Sequence, residues 1–154
     1  MPDTGEQAPD FELETDGGGR FRLSDHRGRT VVLYFYPKDD TRGCTKEAIA
    51  FTQLADEFEK SGAIVIGVSP DGVSRHDKFK AKHGLKVMLG SDPDKEVAQA
   101  YGVWVEKSMY GRKYMGVERA TFLIAPDGTI ARIWRKVKVP GHAEEVLAAV
   151  RDLG

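Results

Sequence analysis

Cysteine is almost absent from this chain: one thiol, Cys44, stands among 154 residues. That excludes an internal disulfide and suits a reducing compartment, so a cytoplasmic location is expected. An excess of either charge is missing too. The 23 basic and 24 acidic side chains leave a formal net charge of −1, which gives no electrostatic footprint for nucleic acid or for an anionic membrane. Long apolar runs are also lacking. The longest, VVLYFY (31–36) and AIVIGV (63–68), are far too short to span a bilayer. The start, MPDTGEQAPDFEL, has neither a basic region nor an apolar stretch, so no secretory signal is expected. Glycines 17–19 are not followed by Gly-Lys-Ser/Thr and form no phosphate loop. His26, His76, His83 and His142 lack metal-ligand clustering. They read as solvated, and neither a metal nor a cofactor is expected.

What is present supports one core. Hydrophobic residues make up 40% of the chain, enough for a single domain over residues 1–154. FEL (11–13) and RFRL (20–23) flank DGGG and read as an N-terminal β-hairpin, with Ser24 capping a short turn after it. TVVLYFY (30–36) and AIVIGVS (63–69) read as strands buried on both faces. Between them Ala48, Phe51, Ala55 and Phe58 recur at helical spacing, so a helix over 45–60 is expected, closed by Gly62. Strand, helix and strand make a right-handed βαβ unit. A helix over 75–84 capped by Ser74, a strand at 86–89 and a capped helix over 92–102 follow. Residues 119–125 and 129–135 around PDG form a second hairpin, and the last helix turns Val146, Leu147, Val150 and Leu153 inward. Segment 102–118 resists assignment. The fold class is α/β: a mixed sheet covered by helices on both faces.

Cys44 sits just past the first buried strand, at the start of the following helix. Sites in open α/β sheets gather there, and the unpaired N–H groups and dipole of a first helical turn favour a thiolate. A free cysteine is also a common apolar filler. Pro37 fixes the entry to the loop. Thr41 places a hydroxyl at a position where an ordinary N-cap would also stand.

Pro37, Thr41 and Cys44 in YPKDDTRGCTKEA, with YGVWVEKSMYGRKYMGVERATFLI (101–124), resemble the peroxiredoxins, and most closely the peroxiredoxin Q or bacterioferritin co-migratory protein subgroup. The resemblance covers nearly the whole chain. It implies a thioredoxin-like fold and a thiol-dependent peroxidase that reduces hydrogen peroxide and organic hydroperoxides through a Cys44 sulfenic acid. It makes Arg119 the active-site arginine. A surface ion pair of Arg119 with Glu118 or Glu47 is the bland alternative.

Ionisation alone cannot make such an enzyme fast. A thiol whose pKa falls from about 8.5 to about 6 gains roughly 30-fold in thiolate at neutral pH and loses roughly 13-fold in nucleophilicity. The rest must come from groups that hold the peroxide as the O–O bond breaks. Cys44 would attack, while Thr41, Arg119 and the N–H groups near Gly43 bind the peroxide; Pro37 would shield the site, and Gly43 allow close approach.

The chain departs from the subgroup at Ile49, where many members carry a resolving cysteine. An external reductant, thioredoxin-like, glutaredoxin-like or a small thiol, must then complete turnover, or two Cys44 residues must pair between chains. A monomer or weak homodimer is expected. A Cys-x-x-Cys reductase would need a thiol where Glu47 stands. A holdase or a monothiol cluster carrier on the same fold is the reading from a different class. Asp39 and Asp40 read as solvated turn residues. Tyr101, Trp104, Met109, Tyr110, Tyr114 and Met115 read mostly as core and loop packing, with a peroxide pocket or dimer surface as the alternatives.

Overall fold

The computed structural model describes residues 1–154. Its chain order is β1 (Glu12–Thr15), β2 (Arg20–Arg22), β3 (Thr30–Phe35), α1 (Arg42–Gln53), α2 (Ala55–Lys60), β4 (Ala63–Ser69) and α3 (Val73–His83). Then come β5 (Met88–Ser91), α4 (Glu96–Ala100), β6 (Trp104–Met109), β7 (Arg112–Val117), β8 (Ala120–Ile124), β9 (Ile130–Trp134) and α5 (His142–Leu153). Seven strands form one mixed sheet in the order β2-β1-β5-β4-β3-β8-β9, and β6 and β7 pair separately. This is the thioredoxin-like α/β arrangement anticipated from the sequence, with β3 and β4 parallel and an antiparallel N-terminal hairpin.

The continuous apolar run of β3 is needed because both its faces are covered. Val31, Leu33 and Phe35 pack with Ile66, Val68, Phe122 and Tyr101 on one side, where α4 lies. Val32, Tyr34 and Tyr36 pack with Phe51, Phe58, Phe79 and Val146, from α1, α2, α3 and α5, on the other. Each fully buried aromatic of this kind contributes about 1.5–3 kcal/mol by leaving water. Gly67 is required where β4 passes Tyr34: an added Cβ would lie 2.5 Å from Tyr34 Cζ. No helix is long and apolar enough to cross a membrane.

Several boundaries differ from the expected ones for local reasons. The helix expected over 45–60 starts earlier and breaks at Leu54, whose N–H bonds Phe51 O in a tighter turn. Ser74 lies inside the first turn of α3, and Gly72 occupies the N-cap without any side-chain cap. Ser24 sits within a short 3₁₀ turn, Leu23–His26, and its N–H bonds Asp10 rather than its hydroxyl capping anything. Strand β5 begins at Met88 because Lys86 N–H is drawn to Thr52 Oγ1 on α1. Helix α4 is short because Lys95 takes a left-handed φ of 59°, while the Asp92 carboxylate accepts from the N–H groups of Val97 and Ala98. Leu153 is exposed rather than inward, one turn past the end of the α5 contact face.

Candidate active site

Sheet register explains which residues meet. Strand β8 runs antiparallel to β3 and pairs Ala120 with Phe35. Arg119, the residue before β8, therefore lies beside the C-terminal end of β3. From that end the chain passes through residues 37–41 into α1, which carries Cys44 in its first turn. Two residues 75 apart in sequence are thus brought together, with Arg119 Nη2 3.4 Å from Cys44 Sγ.

Cys44 is 2% exposed. The first intrahelical bond of α1 runs from Thr45 N to Thr41 O, so the N–H groups of the preceding residues lie free of the helical ladder. Gly43 opens space for the guanidinium: a Cβ there would lie 3.1 Å from Arg119 Nη2. The other end of the guanidinium donates to Glu47 Oε1 at 2.7 Å. Glu47 is 2% exposed, and its Oε2 has no hydrogen-bond partner. Burial lifts its carboxyl to about 7, against the pull of Arg119. Burial disfavours charge on Arg119 as well, but Glu47 and Cys44 outweigh it and hold the guanidinium cationic. The ion pair anticipated as the bland alternative for Arg119 and the contact with the sulfur are thus made by one side chain at once.

Thr41 stands at the N-cap of α1 with no side-chain cap bond. Its hydroxyl instead donates to Lys38 O at 2.8 Å. With its proton so placed, Thr41 Oγ1 faces other groups as an acceptor. Pro37 is half-buried between β3 and this loop. Ile49, at the position of the subgroup's second cysteine, is half-buried and packs against the helix-side core.

The readings of the polar residues need correction. Asp39 is 2% exposed, accepts from Tyr36 Oη and faces His76 Nδ1 at 2.6 Å. His76 is fully buried and its Nε2 faces Gly90 O at 3.0 Å. His142 is buried against Thr121 Oγ1 at 2.8 Å, and burial pushes its imidazole down to about 4. His26 stacks on Phe21, and His83 bonds Asp40 at 2.8 Å. The histidines are therefore engaged rather than solvated. Helical spacing could not show this, since the partners of His76 lie 37 and 14 residues away. The only local signal was a histidine on a helix face that also holds Phe79.

The unassigned segment is the β6–β7 hairpin. Tyr101 and Trp104 pack at its foot, but Met109, Tyr110, Tyr114 and Met115 project from it and are exposed. Lys107 lays its stem over Gly116. Burial lowers its ammonium pKa, and the charge of Arg119 adds to this.

Known proteins similar to this chain match it over most of its length. The AhpC/TSA family matches residues 4–133. Peroxiredoxin Bcp of Bacillus subtilis is 47% identical over 149 residues, covering 97% of this chain and 95% of the relative. Peroxiredoxin Bcp of Xanthomonas campestris is 49% identical over 142 residues, covering 92% and 89%. Among solved structures, a mutant of Xanthomonas campestris peroxiredoxin Q superposes with a TM-score of 0.93 at 46% identity, covering 99% of both chains. The bacterioferritin comigratory protein of the same organism, studied for alkyl peroxide reduction, gives 0.91 at 45% identity, covering 97% and 98%.

Proposed function

The chain belongs to the AhpC/TSA family of peroxiredoxins, and on that premise we propose that it is a one-cysteine, thiol-dependent peroxidase acting at Cys44 on hydrogen peroxide and organic hydroperoxides. The observation that carries this reading is the 3.4 Å approach of Arg119 Nη2 to Cys44 Sγ at the start of α1.

In the reaction the Cys44 thiolate attacks the terminal oxygen of R–O–O–H. The S–O bond forms as the O–O bond breaks, giving Cys44 sulfenic acid and RO⁻, which takes a proton to leave as ROH. Charge builds on the departing oxygen, so fixed donors there act more strongly in the transition state than in the ground state. Arg119 and the free N–H groups at Gly43 and Cys44 are those donors. Thr41 Oγ1, its proton committed to Lys38, accepts the peroxide O–H and so orients it. Pro37 restricts the loop and keeps water from the sulfur. Gly43 leaves room for Arg119 and the peroxide together.

No second cysteine exists in the sequence. An external thiol R′SH therefore attacks the sulfenic sulfur and releases water. A second R′SH then cleaves the mixed disulfide to R′SSR′ and the Cys44 thiol. A lone thiol and this dependence on a thiol pool suit a reducing compartment, and the continuous sheet supports residues 1–154 working as one domain.

The test is mass spectrometry after stoichiometric peroxide. One added oxygen on Cys44, trapped by dimedone and absent from Cys44→Ser, is the expected result. Peroxide consumption by Cys44→Ser at the unsubstituted rate overturns the reading.

A further inference from the structure

A fully bonded buried polar cluster, separate from the Cys44–Arg119–Glu47 group, lies beneath the 37–41 loop. Asp39 uses every polar group it has. One carboxylate oxygen accepts from Tyr36 Oη, and the other faces His76 Nδ1 at 2.6 Å. Its N–H donates to Asp71 Oδ2 at 2.7 Å, and its carbonyl accepts from Arg75 Nη2 at 3.3 Å. His76 Nε2 faces Gly90 O at 3.0 Å. A carbonyl oxygen only accepts, so Nε2 carries a proton. A bare lone pair on Nδ1 would face a carboxylate, so a second proton lies between Nδ1 and Oδ2. The pair as built therefore holds one proton more than a neutral imidazole beside a carboxylate, whichever partner owns it.

The next residue, Asp40, has a left-handed φ of 59° and is held by Lys82 at 2.7 Å and His83 at 2.8 Å. Helix α3 thus grips two consecutive residues immediately before Thr41. Apolar side chains of similar volume would fill the space of Asp39 and His76 without the cost of burying charge, so an ion pair here is poorly explained by stability alone.

We propose that the Asp39–His76 pair is a positioning device for the peroxide-binding loop: its shared proton fixes residues 37–41 and the start of α1, and loss of that proton slackens the loop and slows oxidation of Cys44. This rests on the peroxidase reading of Cys44 given above. Burial alone would strip His76 of its charge, but Asp39, the Gly90 carbonyl and Asp71 outweigh burial and raise its pKa. The other charged groups near the pair are accounted for. Arg75, on the same helix, pairs with Asp71 at 3.1 Å. Asp16, in the turn packed on α3, pairs with Lys80 at 2.6 Å. Tyr36 is kept protonated by burial. A raised histidine pKa gives stabilisation that is complete below about 6.5 and lost as pH rises through the folded-state value.

The experiment follows single-turnover sulfenic acid formation by stopped flow from neutral to alkaline pH, alongside ¹⁵N NMR of the His76 ring in the unsubstituted protein. The NMR needs no variant and so survives a folding failure. Both ring nitrogens should report the extra proton at neutral pH, and the rate should fall over the interval in which that proton leaves. His76→Gln keeps a donor but cannot titrate. It should react roughly tenfold to a hundredfold more slowly at neutral pH, the scale of a small misplacement of reacting groups, and show no fall in that interval. The proposal is overturned by an alkaline fall that persists in His76→Gln, or by His76 losing its proton with no change in rate. A protein that forms no sulfenic acid at any pH would instead refute the peroxidase reading itself.

Discussion

Arg119 joins Cys44 to Glu47: one guanidinium nitrogen lies 3.4 Å from the sulfur and the other 2.7 Å from the carboxylate. A planar fork can serve two partners in fixed directions, whereas an ammonium cannot. Arg119→Lys should therefore fail to substitute. Loss of one fixed donor to a developing oxyanion costs roughly 10²–10³-fold in rate, and a loss of that order is expected in the second-order constant for Cys44 oxidation. A lysine variant reacting at the original rate would remove Arg119 from the chemistry.

Gly43→Ala separates stability from activity. Alanine in place of a helical glycine should raise stability by about 0.5–1 kcal/mol. The added Cβ, however, would lie 3.1 Å from Arg119 Nη2 and push it off the sulfur. Denaturant titration should show a protein at least as stable, and stopped flow a slower one. An undiminished rate would show that Arg119 has slack to spare.

Glu47 makes stability depend on pH in a stated direction. Its carboxyl is raised from 4.5 to about 7 by burial. The folded state then binds its proton more tightly than the unfolded chain, so its contribution is complete below pH 4.5 and is lost as pH rises through about 7. The difference corresponds to about 3 kcal/mol at most. Glu47→Gln should flatten that decline between pH 5 and 8, as measured by urea unfolding. An identical decline in the variant would contradict the assignment.

His142 acts with the opposite sign. Burial lowers its imidazole from 6.5 to about 4. Its contribution is present above pH 6.5 and is lost as pH falls through about 4. This amounts to about 3 kcal/mol. His142→Gln should unfold less steeply with acid than the parent; a matching acid limb would place the acid sensitivity elsewhere.

The sequence showed the parts of the fold that local pattern encodes. The runs at 30–36 and 63–69 are apolar without alternation because β3 and β4 are covered on both faces. Turn glycines and PDG marked both main-sheet hairpins. The β6–β7 hairpin was hidden because its exposed Met and Tyr residues imitate core. Helix α4 was overestimated because Lys95 in a left-handed conformation and Asp92 as a buried cap are set by neighbours, not by periodicity. Of the proposed site residues, Cys44, Thr41 and Pro37 share one short motif, which carries the resemblance. Arg119 needed the resemblance as well, since the β3–β8 register that delivers it cannot be read locally. Asp39 carried no local sign of burial and His76 only the helix face it shares with Phe79, because their partners come from Tyr36 just after β3, from β5 and from the turn before α3.

The most direct test of the account is peroxide consumption under excess peroxide with no thiol present. A lone Cys44 with Ile49 where a resolving thiol would stand should reduce about one equivalent per chain in a fast phase and then stall, its sulfenic acid open only to slower over-oxidation by the remaining peroxide. Thiol added before that over-oxidation should restart turnover. Continued catalytic turnover with thiol absent would contradict the account.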